Sequence, residues 1–114
     1  MFLEHSKISG VYLHLEFVDF RKGILGLSGY VSQSFSESKK VNLFIFCNKA
    51  RNKLRILYWD DTGFALWHKA LEKDKFKWPR STDREWSITV DQLKWLLSGM
   101  SIETHKVSEA KAMY

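Results

Sequence analysis

The chain has 114 residues, 45% of them apolar and 15% aromatic, with one proline, six glycines and a formal charge of +5. That is enough apolar material for one core, and it excludes a wholly disordered, collagen-like or linker-like chain. The single cysteine, Cys47, cannot close an internal disulfide, and the longest apolar run, Leu43 to Cys47, is too short to span a bilayer.

In chain order, residues 11–17 alternate well enough for a short strand with Val11, Leu13, Leu15 and Phe17 on one face. Asp19 then offers a capping acceptor for a helix running from Asp19 to Phe35, with Ile24, Leu27, Val31 and Phe35 on one stripe. Gly23, Gly26 and Gly29 recur every third residue inside it. Each weakens a helix by roughly 1 kcal/mol against alanine, so the set predicts a close approach by another backbone or helix. Residues 32–40 read as a polar loop. Val41 to Cys47 is a strand apolar on both faces at its centre, hence buried, and residues 48–52 form a turn. Lys53 to Asp60 returns as a strand with Leu54, Ile56 and Tyr58 facing one way and Lys53, Arg55, Leu57 and Trp59 the other.

Asp61-Thr62-Gly63 makes the next turn. Phe64 to Leu71 fits strand or helix by pattern, and a strand is favoured because a meander then joins every turn by short connections. Glu72 to Lys75 is a third turn. Phe76-Lys77-Trp78 reads as a lysine-guarded edge strand that Pro79 stops. Near the end, Thr89 and Gln92 form a capping box with Ile88 and Leu93 as its hydrophobic staple. Leu93, Leu96, Leu97 and Met100 make the buried stripe of that helix, and Gly99 lies near its C-cap. The expected fold is α+β: one compact domain over residues 1–104, with a tail over 105–114. It has an antiparallel meander of about four strands packed against one or two helices. The Asp19-to-Phe35 and Val90-to-Gly99 helices cover its apolar face.

Charge is distributed unevenly. Between Lys49 and Arg80 stand nine bases, Lys49, Arg51, Lys53, Arg55, Lys69, Lys73, Lys75, Lys77 and Arg80, against Asp60, Asp61, Glu72 and Asp74. The rest of the chain carries nine bases and nine acids and sums to zero. Trp59, Trp67 and Trp78 lie in the same stretch. A basic field interleaved with flat aromatic groups suits an anionic, base-bearing partner, so DNA is the first to consider. Two readings of the cations stand side by side: a solvated sheet face and hairpin tip, or a surface that neutralises phosphates. Trp59 and Trp67 are either core residues or platforms beside sugars and bases. Arg21 and Lys22, at a helix start where cations are unfavourable, point to an external anion, a partner carboxylate or a tertiary salt bridge.

Catalytic chemistry has little support. Asp60 and Asp61 are adjacent at a strand end and diverge, so with Glu72 they suit turns better than a metal cluster. His5, His14, His68 and His105 lack metal-ligand spacing, and Cys47 sits in an apolar run as a core thiol. Glu37-Ser38-Lys39 echoes part of a nuclease signature without its preceding acid. No catalytic residue, metal or cofactor is expected. The opening Met-Phe-Leu-Glu-His has an acid where a signal peptide needs a base, so the expectation is a soluble cytoplasmic protein without a membrane partner.

Several strings also line up with a known family. They are Asp19-Phe20-Arg21-Lys22-Gly23, Leu43 to Asn48, Lys53 to Phe64 with its Tyr-Trp-Asp-Asp-Thr-Gly-Phe core, Lys69-Ala70-Leu71-Glu72, Phe76-Lys77-Trp78-Pro79 and Leu93 to Gly99. In order and spacing, over about residues 11–102, they resemble the TnpB-type accessory protein of the insertion sequence 66 family of bacterial transposable elements. Two positions depart from that pattern: Asp74 replaces a frequent turn glycine, and Ala50 stands where a base is common. The resemblance implies a role in transposition beside a separate transposase that does the chemistry. Joined to the charge pattern, it yields the expectation of a non-enzymatic accessory factor that binds DNA through its basic hairpins. The alternative is a protein-only adaptor that docks the same surface on an acidic patch of the transposase.

Overall fold

The computed structural model describes residues 8–31, 41–60 and 62–102. Five strands, β1 (Ile8–His14), β2 (Val41–Cys47), β3 (Lys53–Asp60), β4 (Gly63–Ala70) and β5 (Glu85–Ile88), form one sheet in the order β4-β3-β2-β1-β5. β1 runs parallel to β2, with Val11 opposite Leu43 and Leu13 opposite Ile45. The other neighbours are antiparallel. The α+β class stands, but the sheet is mixed rather than a pure antiparallel meander, and it has a fifth strand. A parallel pair cannot be closed by a hairpin, and the chain uses residues 15–40 as the crossover.

Both faces of the sheet are buried. On one, Val11, Leu13, Leu43, Ile45, Leu54 and Ile56 pack with Leu93, Leu96 and Leu97 of the second helix, α2 (Val90–Leu97). On the other, Phe44, Phe46 and Leu57 pack with Val18, Leu27 and Val31 around α1 (Gly23–Ser28). The helices therefore cover opposite faces, not the same one. β2 dictates this, because Leu43, Ile45 and Cys47 alternate with Phe44 and Phe46, and each face needs its own cover.

α2 begins as its sequence requires. Thr89 Oγ1 accepts the Gln92 N–H at 3.0 Å, and Gln92 Oε1 accepts the Thr89 N–H at 2.9 Å. Such a cap contributes about 1 kcal/mol. The helix ends before Met100, which is exposed, because Gly99 takes a left-handed φ of 86°. Ahead of α1, a 3-10 turn (Phe20–Lys22) is capped by Asp19, and Gly23 follows at φ 68°. That angle breaks the long helix expected from Asp19. Among the described residues, a Cβ at Gly23 would meet nothing within 4 Å, and one at Gly29 only the Gly26 carbonyl at 3.4 Å. At these two positions no other described element approaches closely. Residues 32–35 of the expected helix, the expected loop over 32–40 and the expected tail over 105–114 lie outside the described residues or reach beyond them.

Two further segments differ from expectation. Phe76-Lys77-Trp78 is not a strand: Phe76 and Trp78 are buried side chains of an irregular segment, and the Trp78 indole N–H donates to the Leu15 carbonyl at 3.0 Å. The sheet edge beside β1 is taken by β5 instead, whose Trp86 and Ile88 pack on the core. β1 also ends earlier than expected. Leu15 still bonds in register with the β5 side, its N–H to the Arg84 carbonyl, and past it the chain leaves the sheet, the Val18 N–H bonding to the Cys47 carbonyl, both at 3.0 Å. Leu15 remains buried while Phe17 turns outward. No helix among the described residues is long and apolar enough to cross a membrane.

Candidate nucleic-acid interface

The β2–β3 hairpin is organised by Asn48. Its Oδ1 accepts the N–H groups of Asn52 at 3.1 Å and Lys53 at 3.0 Å, while its Nδ2 donates to Asn52 Oδ1 at 2.8 Å. Asparagine suits this place because its short amide can satisfy turn backbone directly. The hairpin holds Arg51 at φ 60°, a left-handed angle that costs a non-glycine residue about 1 kcal/mol. The Arg51 carbonyl accepts the Phe76 N–H at 2.7 Å, and the Asn52 carbonyl accepts the Leu71 N–H at 2.8 Å. These two bonds bring the segment of Lys73, Lys75 and Lys77, all exposed, to the hairpin end of the sheet.

The loop after β1 emerges at that same end, because β1 and β2 are parallel. Between it and the hairpin lies an open cleft of about 690 Å³. Arg21, Lys49, Lys53 and Arg55 line it, with Asp19, Phe17 and Ala50. A second cleft of about 470 Å³ shares Phe17 and holds Arg51 and Arg80 with Glu16. Asp19 is committed to Arg21, whose Nη2 lies 2.6 Å from Asp19 Oδ2. That bond and its charge raise the Arg21 guanidinium further above its usual range. Among the described residues, Asp60, Glu72 and Asp74 form no ion pair with the hairpin cations.

The expected site residues separate into groups. Arg21, Lys49, Arg51, Lys53, Arg55 and Arg80 line the two clefts, and Lys73, Lys75 and Lys77 lie on the adjoining segment. Lys69 points to the opposite face, where its Nζ donates to the Leu97 carbonyl at 2.9 Å and closes the C-terminal end of α2. Arg55 has a structural task as well. Its Nη1 donates to the Phe20 carbonyl at 2.9 Å, its guanidinium lies 4.6 Å from the Phe20 ring centroid, and its Nε donates to His68 Nδ1 at 3.3 Å. Trp59 meets Phe64 edge-to-face at 5.2 Å, at the other end of the sheet, and Trp67 packs on the α2-side core. Lys22 belongs to the 3-10 turn beside Arg21.

Neighbouring groups titrate as this layout dictates. Partial loss of solvent, then the charges of Arg55 and Lys53, lowers the His68 pKa and favours the neutral imidazole that accepts from Arg55. His14 is lowered chiefly by burial, against the pull of Glu16, among the rings of Tyr30 and Phe46. Burial pushes the Cys47 thiol up to about 12, as befits a core residue rather than a nucleophile. Among the described residues, no group of three or more His, Cys, Asp or Glu is placed to hold a metal ion.

Two features of this end escaped the sequence reading: the outward turn of Phe17 and the bracing of the hairpin by Asn48. Asn48 and Asn52 flanking the turn were the available signal for the second.

The sequence pattern of the family described as IS66 Orf2 like protein matches residues 9–107, nearly the whole described chain. The chain belongs to this family. Membership associates it with transposition in an accessory role, the family being one of accessory proteins rather than known enzymes. Among curated relatives, the uncharacterized protein y4jC of Sinorhizobium fredii is 32% identical over 84 residues, covering 73% of this chain and 72% of the relative. The uncharacterized protein y4hO of the same organism is 34% identical over 59 residues, covering 52% of this chain and 51% of the relative. No solved structure matches the IS66 Orf2-like chain.

Proposed function

We propose that this IS66 Orf2-like protein is a non-enzymatic accessory factor that binds DNA through the hairpin end of its sheet and thereby assists a separate transposase. The observation that carries this reading is the gathering, in two adjoining clefts, of six lining cations from the loop after β1, the β2–β3 hairpin and the segment before β5, with Asp19 and Glu16 the only acids among the described lining residues. Cations gathered on one end, four of them exposed and Arg51 and Arg55 half-buried, are suited to phosphates, whose contact needs charge and reach rather than a rigid pocket. Lys69, Trp59 and Trp67 have no part in this interface. Lys73, Lys75 and Lys77 extend it along the neighbouring segment.

The test is DNA binding at several salt concentrations. Contact with about five phosphates gives log K against log salt a slope of roughly −4 to −5 on duplex. Lys49→Glu with Lys53→Glu changes two exposed side chains and leaves the Arg55 anchor in place, so the variant keeps the native fold. Its affinity is expected to fall about tenfold or more, with a shallower salt slope. If wild-type protein fails to bind DNA near physiological salt yet captures the transposase after nuclease treatment, the surface serves a protein partner and the DNA reading is wrong.

A further inference from the structure

Phe17 is 43% exposed and lines both cationic clefts. Its ring has no aromatic partner among the described residues, unlike Trp59, which stacks edge-on with Phe64. The backbone that carries it is held on both sides. The Trp78 indole and the Arg84 carbonyl fix Leu15, and the Cys47 carbonyl fixes Val18. The ring is thus presented on a short, tethered turn, with Arg21, Lys49 and Lys53 to one side and Arg51 and Arg80 to the other. A lone aromatic between two cationic seats matches a strand whose bases are unpaired. Every base has a face to stack, the phosphates on either side need cations, and a duplex keeps its base faces in its own stack.

Resting on the DNA-binding reading, we infer that the nucleic acid taken at this end is single-stranded DNA, with one base stacked on Phe17 and the flanking phosphates in the two clefts. Glu16 faces the second cleft, so the stronger phosphate seat is the first, where Asp19 is occupied by Arg21. The turn that carries the ring is already tethered, so stacking orders one side chain and no backbone, which favours binding.

The inference is tested by fluorescence anisotropy with a labelled oligothymidine of about fifteen nucleotides, alone and as a duplex with its oligoadenine complement. The single strand is expected to bind about tenfold tighter than the duplex. Phe17→Ala should weaken single-strand binding by about 5- to 150-fold and duplex binding by a much smaller factor, so that the preference for the single strand is lost. Phe17→Trp should restore it, since any flat ring can stack; a loss caused by misfolding would lower single-strand and duplex binding by the same factor. Equal affinity of wild type and Phe17→Ala for the single strand overturns the stacking role while the broader DNA reading survives. Absence of binding to either form overturns both.

Discussion

The two ends of the sheet are built from similar parts and carry opposite character. At one, the β2–β3 hairpin, the loop after β1 and the segment before β5 bring Lys49, Arg51, Lys53 and Arg80 together around open clefts. At the other, the β3–β4 turn and the start of α2 hold Asp60 and Asp91 and no lysine or arginine. The acidic end is tightly specified by local rules: a two-residue turn region and a reciprocal cap in which Asp91 also complements the helix dipole. The basic end departs from local rules, with Arg51 at a positive φ and an exposed phenylalanine. Departures of this kind concentrate where a surface serves a ligand rather than the fold.

The largest effect that sharpens the contrast concerns the anchor beneath the basic end. Trp78→Ala removes a buried ring and its bond to Leu15, and is expected to cost about 3–5 kcal/mol in urea unfolding. A smaller loss would mean that the segment carrying Lys73 to Arg80 is not held by that ring. Next comes charge placement. Asp60→Lys with Asp91→Lys adds as much positive charge at the far end as Lys49→Glu with Lys53→Glu removes near the clefts. Affinity for DNA should change by less than about threefold in the first case against about tenfold or more in the second. Equal and opposite changes would make net charge, not position, the determinant.

A subtler test sets stability against binding at one residue. Arg51→Gly relieves the left-handed backbone and should raise stability by up to about 1 kcal/mol, while DNA affinity falls about two- to fivefold for the lost cation. Both readouts moving down together would contradict the trade. The smallest effect is that of pH. His14 and His68 have folded pKa values below the ordinary 6.5, so between those values and 6.5 the unfolded chain binds more protons. Stability is therefore greatest well above pH 6.5 and declines as pH falls through 6.5 toward the lowered folded values, which urea midpoints on either side of pH 6.5 would measure. His68→Gln should flatten part of the decline.

Local periodicity carried β2, β3, β4 and α2 from sequence to structure, because each is specified by neighbours within a few residues. Non-local pairing did not carry. Glu85 to Ile88 is only four residues long, and its partner strand lies more than seventy positions earlier in the chain, so nothing nearby identifies it as β5. Alternating lysine and aromatic at Lys75 to Trp78 reads the same for an edge strand as for an irregular chain that turns two rings inward. Phe17 continued the alternation of β1 on paper, but the backbone leaves the sheet after Leu15, where the Val18 N–H turns to the Cys47 carbonyl. For the candidate site, the clustered cations were legible as a charge count. That Lys69 closes α2 and Arg55 ties down Phe20 depended on which strand faces which helix, and counting cannot give that.

The parallel pairing of β1 with β2 has a consequence for the order of events during folding. It alone directs the exit of β1 to the same side as the β2–β3 hairpin, so the clefts have no walls until segments on either side of residues 15–40 have found one another. Contacts so distant along the chain form slowly and late. Oligonucleotide affinity would thus report a late step of assembly, and any ligand of the clefts would in turn hold the finished topology against reopening.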